Sequence, residues 1–325
     1  MNNFEKRAFG LAAIAVFSMA SVATAQRQPI KGVSDKDTKS LQALIDAYKR
    51  LEPLQVTKIK DNIYLAKGGR GNNDANVGFV VGSSGVIFID SKNSAESEKD
   101  VLDEIAKITS QPVNAVIILH SDHEKGVTAL PAGLTIIAQE NTKKEMEVST
   151  ARDAVPSGYF PTKTVAQDET MTIDGVRVRL LHWATAHTSG DLTAYFPAQK
   201  VVFTGDLLVT DFSLSGTQIH RDLHGSVAGW LESVRKTLAL DADSYVSGHG
   251  ELFTRNEVRT KLAFMQDKWD RMKALVAQGK SLDEIKTALG ESTDPPHQSA
   301  QGITPAEVTT EVIYAEMTAT SGDPR

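Results

Sequence analysis

Residues 113–119 read Val-Asn-Ala-Val-Ile-Ile-Leu and pass without a break into His120-Ser121-Asp122-His123-Glu124-Lys125-Gly126. A mostly apolar run of this length is the mark of a strand buried on both faces. The side chains that follow it are imidazoles and carboxylates, the donors that hold divalent metals. A buried strand thus delivers metal-capable groups to the point where it leaves its sheet. Three later segments repeat the pattern beside glycine: His187 in Ala186-His187-Thr188-Ser189-Gly190-Asp191, Asp206 in Phe203-Thr204-Gly205-Asp206, and His249 in Ser247-Gly248-His249-Gly250. The last two close short apolar runs at 201–203 and 245–246. Donors set repeatedly at strand ends predict a metal site along the edge of a sheet.

Residues 34–52 put Leu41, Leu44, Ile45, Tyr48 and Leu51 at helical spacing before Pro53, which predicts an amphipathic packing arm. Strands at 56–60 and 63–67 turn at Asp61-Asn62, and strands at 77–81 and 86–90 turn at Ser83-Ser84-Gly85. Between the two hairpins, the glycine-rich stretch 68–74 joins strand to strand. It lacks the strand-to-helix context of a phosphate cradle and predicts a mobile loop near the site mouth. A helix at 95–108 returns the chain to the buried strand, and strand-helix-strand at this spacing implies a parallel pair.

A strand at 134–138, a helix at 140–148 and a loop at 151–164 follow, the loop being either a cover for the site or plain surface. The second half opens on a hairpin around Asp174-Gly175 (169–173 and 176–181) and continues through strands at 192–196 and 201–203. A helix at 226–238 and a strand at 244–246 then lead to His249. Both halves are therefore meander, helix, strand. Beyond Gly250 the pattern is helical at 255–278, 281–289 and 305–318, with Trp269, Met272, Leu275 and Val276 as a packing stripe. Residues 293–297 read as a linker carrying an idle His297.

The first 25 residues have the order of a secretory signal peptide: Lys6 and Arg7, an apolar stretch over 8–22, then Ala23-Thr24-Ala25. Export to a bacterial periplasm is the expectation. The remaining divisions are a helical arm at 26–54, a main domain at 55–252 and a helical extension at 253–325. The net charge of −6 becomes −7 once the two basic and one acidic side chains of 1–25 are removed. Such a chain has no evident reason to seek nucleic acid or, after cleavage, a membrane, so a small-molecule substrate is the expected partner. With no cysteine, disulfides, thiolate chemistry and Cys metal ligands are all excluded.

Asp122-His123, His187, Asp206 and His249 fall in the order of the ligands of the metallo-β-lactamase superfamily, with Gly126 three residues past the first motif. Over residues 62–250 the chain resembles that family. The resemblance implies an α/β fold, the four-layer αβ/βα sandwich with a helical C-terminal extension, and a site at one edge between the halves. It also implies a second metal position made of Asp122, His123, Asp206 and His249, and a first position that keeps only His120, His187 and the shared Asp206. Without gaps, the first His of the family's His-x-His-x-Asp-His motif falls on Ile118; with a loop two residues shorter, His120 is itself that first His. Either way one imidazole is missing, and the expected cofactor is a single tightly bound zinc with a second ion weak or absent.

The implied activity is that of an exported hydrolase of an amide, lactone or other ester, in which metal-bound hydroxide attacks the carbonyl and Asp122 manages the proton. Two alternatives stay open. In one, His120, His187 and Asp206 resemble the mononuclear iron set of the superfamily's persulfide dioxygenases. In the other, the fold is degenerate and only binds. Trp183, His220 and His224 are candidate substrate contacts, His182 reads as a strand-end packing residue, and Lys125 either brings positive charge near the site or lies at the surface.

Overall fold

The computed structural model describes residues 29–49, 51–122, 124–149, 155–210, 212–293 and 309–319. The expected signal peptide at 1–25, His123 and His297 lie outside the described residues. The chain opens with helix α1 (Asp35–Ala47), whose first turn is closed by a capping box between Ser34 and Asp37. Strands β1 (Gln55–Lys60), β2 (Ile63–Lys67), β3 (Val77–Val81) and β4 (Val86–Ile89) form an antiparallel meander. Helix α2 (Ala95–Ile108) carries the chain over to β5 (Val113–Ile117), which lies parallel to β4. Strand β6 (Thr135–Gln139), helix α3 (Glu140–Val148) and strand β7 (Lys163–Val165) complete a seven-stranded sheet in the order β1 to β7.

The second sheet is built from β8 (Asp168–Ile173), β9 (Val176–Leu181), β10 (Thr193–Phe196), β11 (Val201–Phe203), β12 (Ser244–Val246) and β13 (Phe253–Thr254). Helix α4 (Val227–Leu238) crosses from β11 to β12, which pair in parallel, an arrangement that needs such a crossover. Helices α5 (Arg255–Ala277), α6 (Leu282–Leu289) and α7 (Thr309–Thr318) follow.

Alternation along the strands sorts the core into three layers. Ile87, Ile89, Ala115, Ile117 and Leu119 of the first sheet face Val178, Leu180, Ala194, Phe196, Val201 and Phe203 of the second. Their neighbours Val86, Phe88, Val116 and Ile118 point the other way, under Val101 and Ile105 of α2 and Met146 of α3. On the far side, Tyr195, Val202 and Tyr245 pack beneath Trp230 of α4, Met265 and Met272 of α5, Ile285 of α6 and Val312 of α7. The result is the αβ/βα sandwich, each sheet hydrophobic on both faces because each is covered on both.

Several expectations are corrected. The first helix stops at Ala47, five residues short of 52, because Tyr48 turns to an extended backbone and its hydroxyl bonds Asn73. Leu51, placed on the packing stripe, is exposed. The supposed loop at 151–164 contributes Lys163 and Thr164 to β7, hydrogen-bonded to β6, so its end belongs to the sheet. The connector at 68–74 is tied down, not loose: the Lys92 ammonium, buried beneath it, donates to the carbonyls of Ala66, Gly68 and Ala75 at 3.1, 2.6 and 2.5 Å. The stripe of Trp269, Met272, Leu275 and Val276 packs on the second sheet's outer core as its spacing requires.

Candidate metal centre

Strand β5 ends at Ile117, and the next two side chains still alternate: Ile118 sinks into the α2-covered core and Leu119 into the core between the sheets. Position 118 therefore contributes nothing to a site at the sheet edge. His120 and Asp122 come after the strand has lost its partners. Beside them Asp90 leaves the end of β4, its N–H held by the Ile117 carbonyl at 2.7 Å. Its backbone sits in the left-handed region, φ 67°, an unusual conformation for a non-glycine residue, and its carboxylate lies 3.4 Å from His120 Nδ1.

Asp206 follows β11 in a short 3-10 turn, Gly205–Leu207. The turn at 247–250 presses against it so closely that a Cβ on Gly248 would lie 1.8 Å from Asp206 Oδ1, which explains the glycine before His249. That turn is clamped from the first sheet: the Asn76 amide donates to the carbonyls of Ser247 and Gly250, and its N–H to that of Gly248. His187 sits in a tight loop built around Asp191, a buried carboxylate that accepts from the N–H groups of Ala186 and Thr188 and from the Thr188 hydroxyl. Glu145 of α3 bridges the first two ligand loops by accepting from the hydroxyls of Ser121 and Ser189. Burial raises the Glu145 and Asp191 carboxyls, and the hydrogen bonds just named work against that rise.

Among the described residues His120, Asp122, His187 and Asp206 come together, with one ligand atom from each lying within 4.8 Å of all the others. The His120 and His187 Nε2 atoms stand between two carboxylates. They lie 2.7 and 3.2 Å from Asp122, and 3.9 and 3.7 Å from Asp206 Oδ2. His249 joins from the Asp206 side, Nε2 to Oδ2 3.4 Å, and His220 from the Asp122 side, Nε2 to Oδ2 3.2 Å. Asp206 is almost completely buried, and carboxylates this close repel each other and resist desolvation unless positive charge lies between them. A divalent cation supplies that charge, and imidazole with carboxylate is a donor set that suits Zn²⁺ or Fe²⁺. The residues present fit such an ion.

Protonated imidazoles are the other source of positive charge. Burial works to lower His120, but the carboxylates of Asp122 and Asp90 outweigh it and hold the ring well above its ordinary value. His220 follows the same balance: burial lowers it, hydrogen bonds to Asp122 and Asp222 prevail, and it is pushed up to about 10.

His220 was expected only as a substrate contact, yet it belongs to the cluster. Trp183 does not: its indole N–H donates to Thr237 of α4 at 3.1 Å and its ring packs on the outer core, because α4 crosses directly above it. His224 is exposed in the left-handed turn that ends Arg221–Leu223. His182 bonds the Asp191 carbonyl through Nδ1, a structural contact as expected. Asp90, Asp191, Glu145 and Asn76, all of which shape the site, were not picked out from the sequence. Asp90 was detectable in principle, because a strand parallel to the organising one must release its next residue beside the same donors.

The sequence matches the family model described as the metallo-beta-lactamase superfamily over residues 70–249. It is similar to the alpha subunit of 2,4-dinitroanisole O-demethylase from Nocardioides sp., 28% identical over 186 residues, 55% of this chain and 53% of that protein. It is also similar to linear primary-alkylsulfatase from Pseudomonas sp., 24% identical over 279 residues, 68% of this chain and 50% of that one. The chain spans about half the length of these two relatives. Among solved structures, a metallo-beta-lactamase from Pontibacter korlensis aligns with a TM-score of 0.55 at 21% identity, over 66% of this chain and 100% of that chain, a likeness of fold.

Proposed function

Since the chain belongs to the metallo-β-lactamase superfamily, we propose that it is a metal-dependent hydrolase of an ester, lactone or amide bond that uses one tightly held zinc. The observation that carries this reading is the buried convergence of His120, Asp122, His187 and Asp206. When bound, the ion supplies Lewis acidity, polarising the scissile group and bringing the pKa of water down to about 7. The chain's own residues do the rest. Asp206, sealed from solvent, sets one carboxylate oxygen 3.9, 3.7 and 3.4 Å from the Nε2 atoms of His120, His187 and His249. Asp122, whose side chain is 11% exposed, is the carboxylate on the open side and is placed to accept a proton from the attacking water.

The partly exposed His220 marks the same open side, from which substrate enters. The names of two relatives, an O-demethylase and an alkylsulfatase, support substrates cleaved at oxygen, and that of a third, metallo-beta-lactamase type 2 from Elizabethkingia meningoseptica, supports an amide, so both bond classes stay in the proposal. The order of charge, apolar core and Ala-x-Ala in residues 1–25 supports action in the periplasm.

The test joins metal content with turnover. Purified protein is expected to retain about one zinc per chain through dialysis against a weak chelator, as a closed set of donors would. Asp206→Ala and His249→Ala are expected to cut ester or lactone turnover by at least about 100-fold, the upper end of what even second-shell changes cost. Full turnover in Asp206→Ala would remove the site. Retained iron with persulfide-dependent oxygen uptake would instead favour the dioxygenase reading, which the proximity of His120, His187 and Asp206 also supports.

A further inference from the structure

The first metal position lacks an imidazole in sequence, since Ile118 is buried in the helix-covered core. In space it is not short of one. We propose that His220 is the missing ligand, so that His120, His187 and His220 form a three-imidazole metal position assembled from β5, the His187 loop and the loop before α4. The inference rests on the reading of the cluster as a metal site.

Three observations carry it. First, the Nε2 atoms of His120, His187 and His220 converge on a single carboxylate, Asp122, at 2.7, 3.2 and 3.2 Å. Second, the rings are set nearly perpendicular around that point: His187 lies at 80° to His120 and 85° to His220, with centroids 5.0 and 4.9 Å apart. Edge-to-face contact is also how aromatic rings pack without an ion; what points to a metal is that these three rings pack so with every Nε2 facing inward. Third, each ring turns its other nitrogen to an oxygen. His120 Nδ1 meets Asp90 at 3.4 Å, His187 Nδ1 the Gln218 carbonyl at 3.1 Å, and His220 Nδ1 Asp222 at 3.5 Å. A hydrogen bond from Nδ1 to an outward oxygen fixes the tautomer that presents the Nε2 lone pair to a metal; His187 has that bond, and at His120 and His220 a carboxylate oxygen stands at longer range on the same side.

The backbone holds His220 in that place. Its N–H donates to the His187 carbonyl at 2.8 Å, and its own carbonyl accepts from Gly225 at 2.7 Å. Ser226 donates in turn to the Ala186 carbonyl, so the two loops are laced together on either side of the donors. The Gln218 amide, 2.8 Å from His220 Nε2, is the group that an incoming ion would displace.

The test compares wild-type protein with His220→Ala by zinc competition against a chromophoric chelator and by the visible spectrum of the Co²⁺ form. Expected are a fall in affinity for the most tightly bound ion of more than about 100-fold, beyond the second-shell range, and a cobalt spectrum altered by the loss of one nitrogen donor. Free imidazole should restore much of both, because the His220 side chain is 23% exposed and the gap can be reached from solvent. If His220→Ala binds zinc as tightly as wild type and keeps its cobalt spectrum, the assignment is wrong, and any loss of turnover then makes His220 a substrate contact. Wild-type protein that takes up no zinc, iron or cobalt would instead overturn the metal site itself.

Discussion

Glu98 shows how one side chain beneath the site sets a property of the whole protein. It is completely buried, its Oε2 accepts the Lys92 N–H at 2.6 Å, and burial pushes its carboxyl from 4.5 up to about 8. Between those two values the folded protein keeps a proton that the unfolded chain has released. Stability therefore falls as pH rises through that window, by at most ~1.4 kcal/mol per pH unit from this group. Glu98→Gln keeps the acceptor and removes the titration, so urea midpoints taken from pH 5 to 8 should vary less than in wild type, the slope from this one group being lost. An unchanged slope would show that Glu98 is already ionised in the fold. At this scale the sequence was legible where a strand end fixes direction, as at His120, Asp206 and His249. It was illegible where position depends on a loop without periodicity, as at His220, or on a neighbouring strand's register, as at Asp90.

The connector between β2 and β3 is the element on which the second half of the site leans. Lys92 gathers two of its carbonyls, Gly68 and Ala75, with that of Ala66 in β2, Asp74 accepts from the Asn93 N–H and the Ser97 hydroxyl, and the connector delivers Asn76 to the turn that bears His249. Lys92→Met would leave buried carbonyls without a donor, at about 1–3 kcal/mol for each group left unsatisfied. The expected outcome is a lower melting temperature with new proteolytic nicking within 68–74, and a nicking pattern like wild type's would show the anchor to be dispensable. Glycines in this stretch argued for mobility on composition alone, whereas the anchor is a lysine some twenty residues away in sequence. Long, alternating or amphipathic elements such as α2, α3 and β9 were legible for the opposite reason. The short edge pieces β7 and β13 were missed because three or two residues carry no period.

At the scale of the molecule, the two halves repeat one plan, and that repetition was readable because buried strands and covering helices leave different periods in sequence. The part less readable was how the C-terminal helices join it. Glu316 of α7 caps the start of α4, accepting from the N–H groups of Val227 and Ala228 and from the Ser226 hydroxyl, while Val312 and Ile313 fill the outer core. Thr309 adds a two-way hydrogen bond with the backbone of Thr217, at the base of the His220 loop. Glu316→Ala should cost about 1–2 kcal/mol, the worth of a good N-terminal cap. Amide exchange should quicken at Val227 and Ala228, and exchange unchanged there would mean that water replaces the carboxylate without loss.

The cap on α4 comes from a residue 89 positions downstream of the N–H it satisfies. Losing α7 would therefore unbrace the start of α4, the element that follows the His220 loop, without removing any residue of the cluster.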